Sequence, residues 1–555
     1  MGRNADAAYP QSAEGSRVAV VTDHVEATRA ALDVLSSGGN AADAAVAAAL
    51  VLGVVAPSGS GLGGGGFALV TTARDHKVTA LDFRETAPAA LDTARLLAGR
   101  GTPGRGATIG VPGEAAGLEW LATHHGKRPL ARDADAAVRA AEAGFYVSRP
   151  LADALSRSGA RMAPGSELAI GLFPGSQPAP YATRITRPEL AATLKRFGAE
   201  GSRAIYTGSV ADRIVESTKA AGGSLTLDDL RDYRVRERKP LQRDVDGKTI
   251  VTMPAPSAGG LMVLETLAMH GASGASPLNA MGFGSSAYLH VLAETFRGAM
   301  ADRVRFAGDP DLESGVAEAY DRALDPAQLA ARRQRIDVDK TKPATELRTR
   351  EAGTSHIVVV DDEGNVVALT TTVNDAFGSG VVARGTGIVL NDELEDFAAP
   401  ADVAGFGLVG LGPNRPRPKA RPVSSMTPVI VLEKGEAILV AGGSGGARIA
   451  TGVTQAVLAR LVFGLDPSAC VSSPRIHPTG TQLLVEAEVP FDVRWGLQAR
   501  GEQLSLVPSA SDPASRAPGA SGPAAVQMIT IERDAQGRHL LAGTDPRKGG
   551  MAAAR

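Results

Sequence analysis

Apolar positions recur at helical spacing near the N-terminus and give way to strand-like runs in later blocks. In "DHVEATRAALDVLSSGGNAADAAVAAALVLGVVAP", Ala27, Ala31 and Leu35 share one helical face. Gly38 and Gly39 supply a C-cap to this helix, and Asn40 an N-cap to the next. That second helix is almost wholly apolar, but it carries Asp43 and stops at Pro57. It is too short for a membrane span and reads as a buried helix. After a glycine-rich turn, "GSGLGGGG", the runs "FALVTT" and "VTALDF" form a hairpin.

Residues 110–308 read as mainly helical. The amphipathic patterns are "DADAAVRAAEAGF", "RPELAATLKRFGAE", "LTLDDLRDY" and "SSAYLHVLAETFRGAMADRVRFAG". From Asp309 to Gly353 the chain turns charged, then loose and proline-containing. Strands return in "HIVVVDDEGNVVALTTTV", a hairpin turning at Glu363-Gly364-Asn365. Two more hairpins follow, "TPVIVLEKGEAILVAGG" and "AVQMITIERDAQGRHLLAGTD", with the helix "ARIATGVTQAVLARLVFG" between them. The low-complexity stretch at 509–525 reads as an exposed loop. Helices and strands in mixed order, with hairpins grouped at both ends, predict an α+β fold. Two antiparallel sheets flanked by helices fit better than a doubly wound parallel sheet.

Composition narrows the function classes. The 555 residues are 44% hydrophobic with a net charge of −2, so no basic face for nucleic acid is implied. Cys470 is the sole cysteine, which excludes an intramolecular disulfide and a multi-cysteine metal site; it reads as a small buried hydrophobe. The nine histidines are scattered without ligand spacing, and a metal centre is disfavoured. The first residues, "MGRNADAAYPQSAEG", have no apolar leader core. The compartment stays open between the cytoplasm and export with a leader removed.

Several motifs admit two readings on their own. Thr354, in "EAGTSHIVVV", either begins a strand or becomes a new N-terminus after cleavage. Arg84, in "LDFRETAP", is a solvated charge or a carboxylate clamp. In "NDELEDF", Asp392, Glu393, Glu395 and Asp396 form a solvated acidic loop or an ammonium site. Ser424 and Ser425, in "VSSMTP", are turn serines or hydroxyl donors; the nucleophile-elbow pattern is missing. "GGSGGARIATG" is a strand-to-helix connection or an oxyanion hole. "GSGLGGGG" lacks the lysine of a phosphate loop and reads as a tight turn.

Seven blocks in order carry a resemblance: "GGNAADAAVAAALVLGVVAPSGSGLGGGGF", "LDFRETAP", "GTSHIVVVDDEGNVVALTTTVNDAFGSG", "GTGIVLNDELEDFA", "RPVSSMTP", "GGSGGARI" and "TDPRKGG". Together they resemble the γ-glutamyltranspeptidase (glutathione hydrolase) family of N-terminal-nucleophile hydrolases. The resemblance implies a four-layer αββα sandwich and a precursor that cuts itself at Gly353–Thr354. Residues 1–353 and 354–555 then become a large and a small subunit of one catalytic unit. It implies Thr354 as nucleophile, with its freed α-amine, of reference pKa about 8, as the base. It assigns Thr372 to orient that terminus, and Gly445 and Gly446 to the oxyanion hole. Arg84, Ser424 and Ser425 would hold a substrate α-carboxylate; Asn374, Glu393 and Asp396 its ammonium. The implied substrates are glutathione-like γ-glutamyl amides. The acyl group passes to water or to an amino-acid or peptide acceptor, and no cofactor or metal is implied.

Three departures from the family pattern stand out. Ser355 replaces a threonine or alanine, and Thr371 replaces an aromatic before the orienting threonine. The segment between Phe397 and Val423 is long enough for a lid but has no tyrosine or tryptophan. One alternative is a glutaryl-β-lactam acylase. Its substrate lacks an ammonium and would leave Glu393 and Asp396 buried without a partner. Another is a poly-γ-glutamate-processing relative with an open groove. A non-cleaving binding protein is opposed by the intact Thr354, Thr372 and glycine pair.

Overall fold

The computed structural model describes residues 11–74, 76–99, 106–158, 162, 165–345, 353–403, 408, 410–508 and 524–555. The connector just before Gly353, part of the lid-length segment and most of 509–525 lie outside these residues.

Two seven-stranded antiparallel sheets stack at the centre. In the first the order is Met551–Ala554, Ala19–Thr22, Gly353–Val360, Val366–Asn374, Gly65–Thr71, Val78–Phe83, Arg236–Arg238. In the second it is Ser12–Gly15, Gly537–Thr544, Ala525–Asp534, Glu436–Ser444, Val429–Glu433, Lys248–Thr252, Leu241–Val245. Helices Val25–Ser36, Ala41–Val55 and Glu114–His125 pack on the first sheet; Gly259–His270 and Ile449–Leu461 pack on the second. This is the expected αββα sandwich.

The layering explains the run "HIVVV". Ile357 and Val359 join the core beneath the helices, whereas Val358 and Val360 join the core between the sheets. A strand covered on both faces reads as continuously apolar rather than alternating. Helix Ala41–Val55 is buried along its whole length. Its single acid caps it: Asp43 accepts the Asn40 N–H at 2.9 Å, and Asn40 accepts from Ala42 and Asp43 in return. The preceding helix ends at Ser36, and Gly38 follows its cap with φ +88°.

Short strands interrupt the helical reading of 110–308: Phe145–Tyr146 pairs with Arg184–Ile185, and Arg236–Arg238 edges the first sheet. Strands Leu241–Val245 and Lys248–Thr252 form a hairpin at the edge of the second sheet. Asp246 and Gly247 both take positive φ at its turn, as a two-residue hairpin loop requires. Among the described residues no helix is long and apolar enough to cross a membrane.

Candidate active site

Thr354 is the second residue of the strand Gly353–Val360, in the middle of the first sheet, and is 3% exposed. The hairpin register pairs it with Thr372, and the pairing shifts by one residue between Gly353 and Thr354. Thr372 therefore reaches back across the irregularity. Its hydroxyl donates to the Gly353 carbonyl at 2.6 Å, accepts the Asn374 N–H at 2.9 Å, and lies 3.3 Å from the Thr354 hydroxyl. The glycine-rich turn closes over this point. A Cβ on Gly59 would press on the Thr354 nitrogen at 3.1 Å, and one on Gly64 would fall 1.9 Å from the Thr372 carbonyl oxygen, so Gly64 has no room for a side chain.

The second sheet brings the glycine pair to the same place. Strand Glu436–Ser444 runs into Gly445 and Gly446, with φ of +127° and +65°, and then into helix Ile449–Leu461. Lys548 ties the layers together. Its ammonium donates to the Ser444 hydroxyl and to Asp23 Oδ2, each at 2.9 Å, and to the Thr354 carbonyl. Asp23 also accepts the His356 N–H at 3.2 Å and the Gln527 amide at 2.6 Å. Sequence reasoning quoted "TDPRKGG" but gave Lys548 no role, and passed over Asp23 and Ser444. Only the long-range packing identifies them.

The residues expected at the two ends of a substrate head group form one buried cluster. Asn374 has φ +73° and donates to the Asp392 carbonyl at 3.2 Å, next to Glu393. Arg84 pairs with both Glu393 and Asp396. It also donates to the carbonyls of Pro422 at 3.2 Å and Val423 at 3.0 Å, beside Ser424. Ser424 Oγ accepts the Met426 N–H at 3.1 Å. Ser425 is buried and, with Ala447 and Ala450, lines a small gap. Of the lid-length segment, Leu408 packs against the small apolar cluster of Met262, Ala299, Met300 and Ala450. The expectation that Glu393 and Asp396 would lack a partner without a ligand is corrected: Arg84 already neutralises part of their charge.

Behind the strands lie two buried carboxyls that sequence reasoning missed. Glu114 opens helix Glu114–His125 and takes the Thr371 hydroxyl, so the departure at 371 has a local partner. Burial raises its pKa to about 7, with the Thr371 and Gly61 hydrogen bonds opposing. Burial likewise raises Glu85 to about 8 against the pull of Arg84. His356 is held neutral, its pKa lowered by burial to about 4. Cys470 is buried and its thiol is pushed up to about 12, as a structural cysteine should be. Asp375, Asp392 and Glu395 bring carboxylate oxygens within 4.8 Å of one another, and Asp392 accepts the Asp375 N–H at 2.9 Å.

Comparison with known proteins agrees with this geometry. The γ-glutamyltranspeptidase family profile matches residues 27–555. A glutathione hydrolase proenzyme of Escherichia coli strain K12 is 34% identical over 521 residues, spanning 91% of this chain and 88% of that protein. A crystal structure of cephalosporin acylase from Bacillus halodurans matches with a TM-score of 0.83 at 26% identity, covering 100% of this chain and 99% of that one. A crystal structure of Helicobacter pylori γ-glutamyltranspeptidase matches with a TM-score of 0.52 at 33% identity, covering 58% of this chain and 92% of that one. With the ordered motifs and the two-sheet sandwich, these findings establish that the chain belongs to the γ-glutamyltranspeptidase family.

Proposed function

We propose that this family enzyme cuts itself at Gly353–Thr354 and then transfers or hydrolyses γ-glutamyl groups through Thr354. The observation that carries the reading is the Thr354–Thr372–Gly353 contact. A hydroxyl nucleophile stands beside the carbonyl of its own preceding peptide, and a second hydroxyl already donates to that carbonyl oxygen. Attack by Thr354 Oγ on the Gly353 carbonyl carbon breaks the C–N bond and leaves an ester. Water hydrolyses the ester, freeing the Gly353 carboxylate and the Thr354 α-amine.

In turnover the α-amine takes the Thr354 hydroxyl proton while Oγ attacks the γ-carbonyl of the donor. The N–H groups of Gly445 and Gly446 stabilise the oxyanion. The proton passes to the departing amine, and a γ-glutamyl ester remains. Water or an acceptor amine resolves it and restores the hydroxyl. Arg84, Ser424 and Ser425 hold the donor's α-carboxylate; Asn374, Glu393 and Asp396 hold its ammonium.

A second reading has a specific observation in its favour. Because Arg84 pairs with Glu393 and Asp396, a glutaryl group with a carboxylate and no ammonium leaves no bare acid behind. The likeness to a cephalosporin acylase points the same way. Two measurements test both readings. Intact mass under denaturing conditions should give two fragments divided at Gly353–Thr354 in the wild type and one chain in Thr354→Ala. Release of one chromophore from its γ-glutamyl and glutaryl amides should favour the γ-glutamyl donor. An uncut, inactive wild type would sink the self-processing reading, and a preference for glutaryl would select the acylase.

A further inference from the structure

We propose that Lys548 is a positioning residue for the α-amine of Thr354, holding down its proton affinity through the Thr354 carbonyl. The inference rests on the reading of Thr354 as an N-terminal nucleophile. Its geometric basis is separate. The Lys548 ammonium meets the carbonyl of Thr354 itself, on the side of the residue that cleavage leaves intact. Asp23 and Ser444 fix it there, each at 2.9 Å. The loop bearing Lys548 is also anchored. Asp545 pairs with Arg475 at 2.8 Å and with Arg547 at 2.9 Å, and Arg547 pairs with Glu486 at 2.6 Å. The ammonium is therefore a fixed charge rather than a swinging one.

The electrostatic consequence has a definite sign. A nearby cation disfavours protonation of an amine; a nearby anion favours it. The amine acts as a base only when neutral, so a lower pKa lets the enzyme work at lower pH. Among the described residues, the charges around it leave Lys548 and Asp23 as the opposed pair. His24 and His356 are neutral, both held near pKa 4 by burial. Arg547 is engaged with Glu486 and Asp545 on the same loop. Glu114 lies behind Thr371 on the opposite face of the sheet, and Asp375 and Asp392 lie beyond Asn374.

The test is the acid limb of kcat/KM for a chromogenic γ-glutamyl amide, measured per mole of cleaved protein. Lys548→Gln should move the limb up by about one pH unit, and Lys548→Arg should restore it. A second readout avoids turnover: the pH dependence of acetylation of the Thr354 α-amine, followed by mass, should shift in the same directions. If cleaved, active Lys548→Gln keeps the wild-type limb, or if Lys548→Arg fails to restore it, the proposal falls. Failure of the underlying reading looks different, because the wild type itself would then be uncut.

Discussion

The Thr372 hydroxyl donates to the Gly353 carbonyl at 2.6 Å while standing 3.3 Å from the Thr354 hydroxyl. One side chain thus contacts both the group that would attack and the group that would be attacked. Losing a hydrogen bond to a carbonyl that must gain negative charge costs about 1.5–3 kcal/mol, or roughly 10–100-fold in rate. Thr372→Val should slow self-cleavage by that factor, with Thr372→Ser close to wild type. The half-time for loss of the full-length chain on a denaturing gel measures it. Equal half-times for valine and serine would remove Thr372 from the cleavage step.

Arg84 joins Glu393 and Asp396, more than three hundred positions away in sequence, with Arg84 and Glu393 each 1% exposed. Removing Arg84 takes away the cation that Glu393 and Asp396 share. Breaking a buried ion pair from one side typically costs about 3–5 kcal/mol. Arg84→Met, made in the single-chain Thr354→Ala background, should lose about that much in urea unfolding. Adding Glu393→Gln and Asp396→Asn should recover most of it. A loss below about 1 kcal/mol would mean that the acids are already neutral or solvated.

These two relationships were not equally legible in the sequence. The hairpin turn at Glu363-Gly364-Asn365 could be read directly, and it sets Thr354 opposite Thr372. The doubly covered strand "HIVVV" and the Asn40 cap were legible for the same reason: local patterns express local physics. The hairpin Leu241–Thr252 was missed because half of its first strand faces solvent and a charged edge strand carries little apolar signal, although its Asp-Gly turn was a usable cue. The Arg84 cluster and the Lys548 bridge depend on packing between distant segments. No spacing rule could have shown that the expected substrate-binding cation and acids bind one another.

Gly445 and Gly446 differ in what they tolerate. Gly445 has φ +127°, and a Cβ there would fall 2.7 Å from the Ala524 Cα, so the backbone must move. Gly446, at φ +65°, is in the left-handed region, where alanine costs about 1 kcal/mol. Gly445→Ala should therefore turn its N–H away and lower single-turnover acylation by about 100-fold or more. Gly446→Ala should fold, cleave and lose less. The reverse ranking would move the oxyanion donor away from Gly445.

Glu114 gives the fold a pH dependence of its own. Its pKa is raised from 4.5 to about 7, chiefly by burial, so the folded protein keeps a proton that the unfolded chain releases above about pH 4.5. The folded state then binds more protons between those two values, and stability must fall as pH rises through that window. Above about pH 7 both states are ionised and the loss is complete, at about 3 kcal/mol for a shift of this size. Thr371 precedes Thr372 in the strand Val366–Asn374 and donates to this carboxyl, so ionisation also loads the strand that carries the site. Glu114→Gln keeps a hydrogen-bonding group without the charge. In the Thr354→Ala background it should flatten the decline in urea midpoint between pH 5 and pH 8 and leave the midpoint at pH 5 nearly unchanged. A glutamine variant with the wild-type pH slope would show that Glu114 is ionised or hydrated in the folded protein at neutral pH.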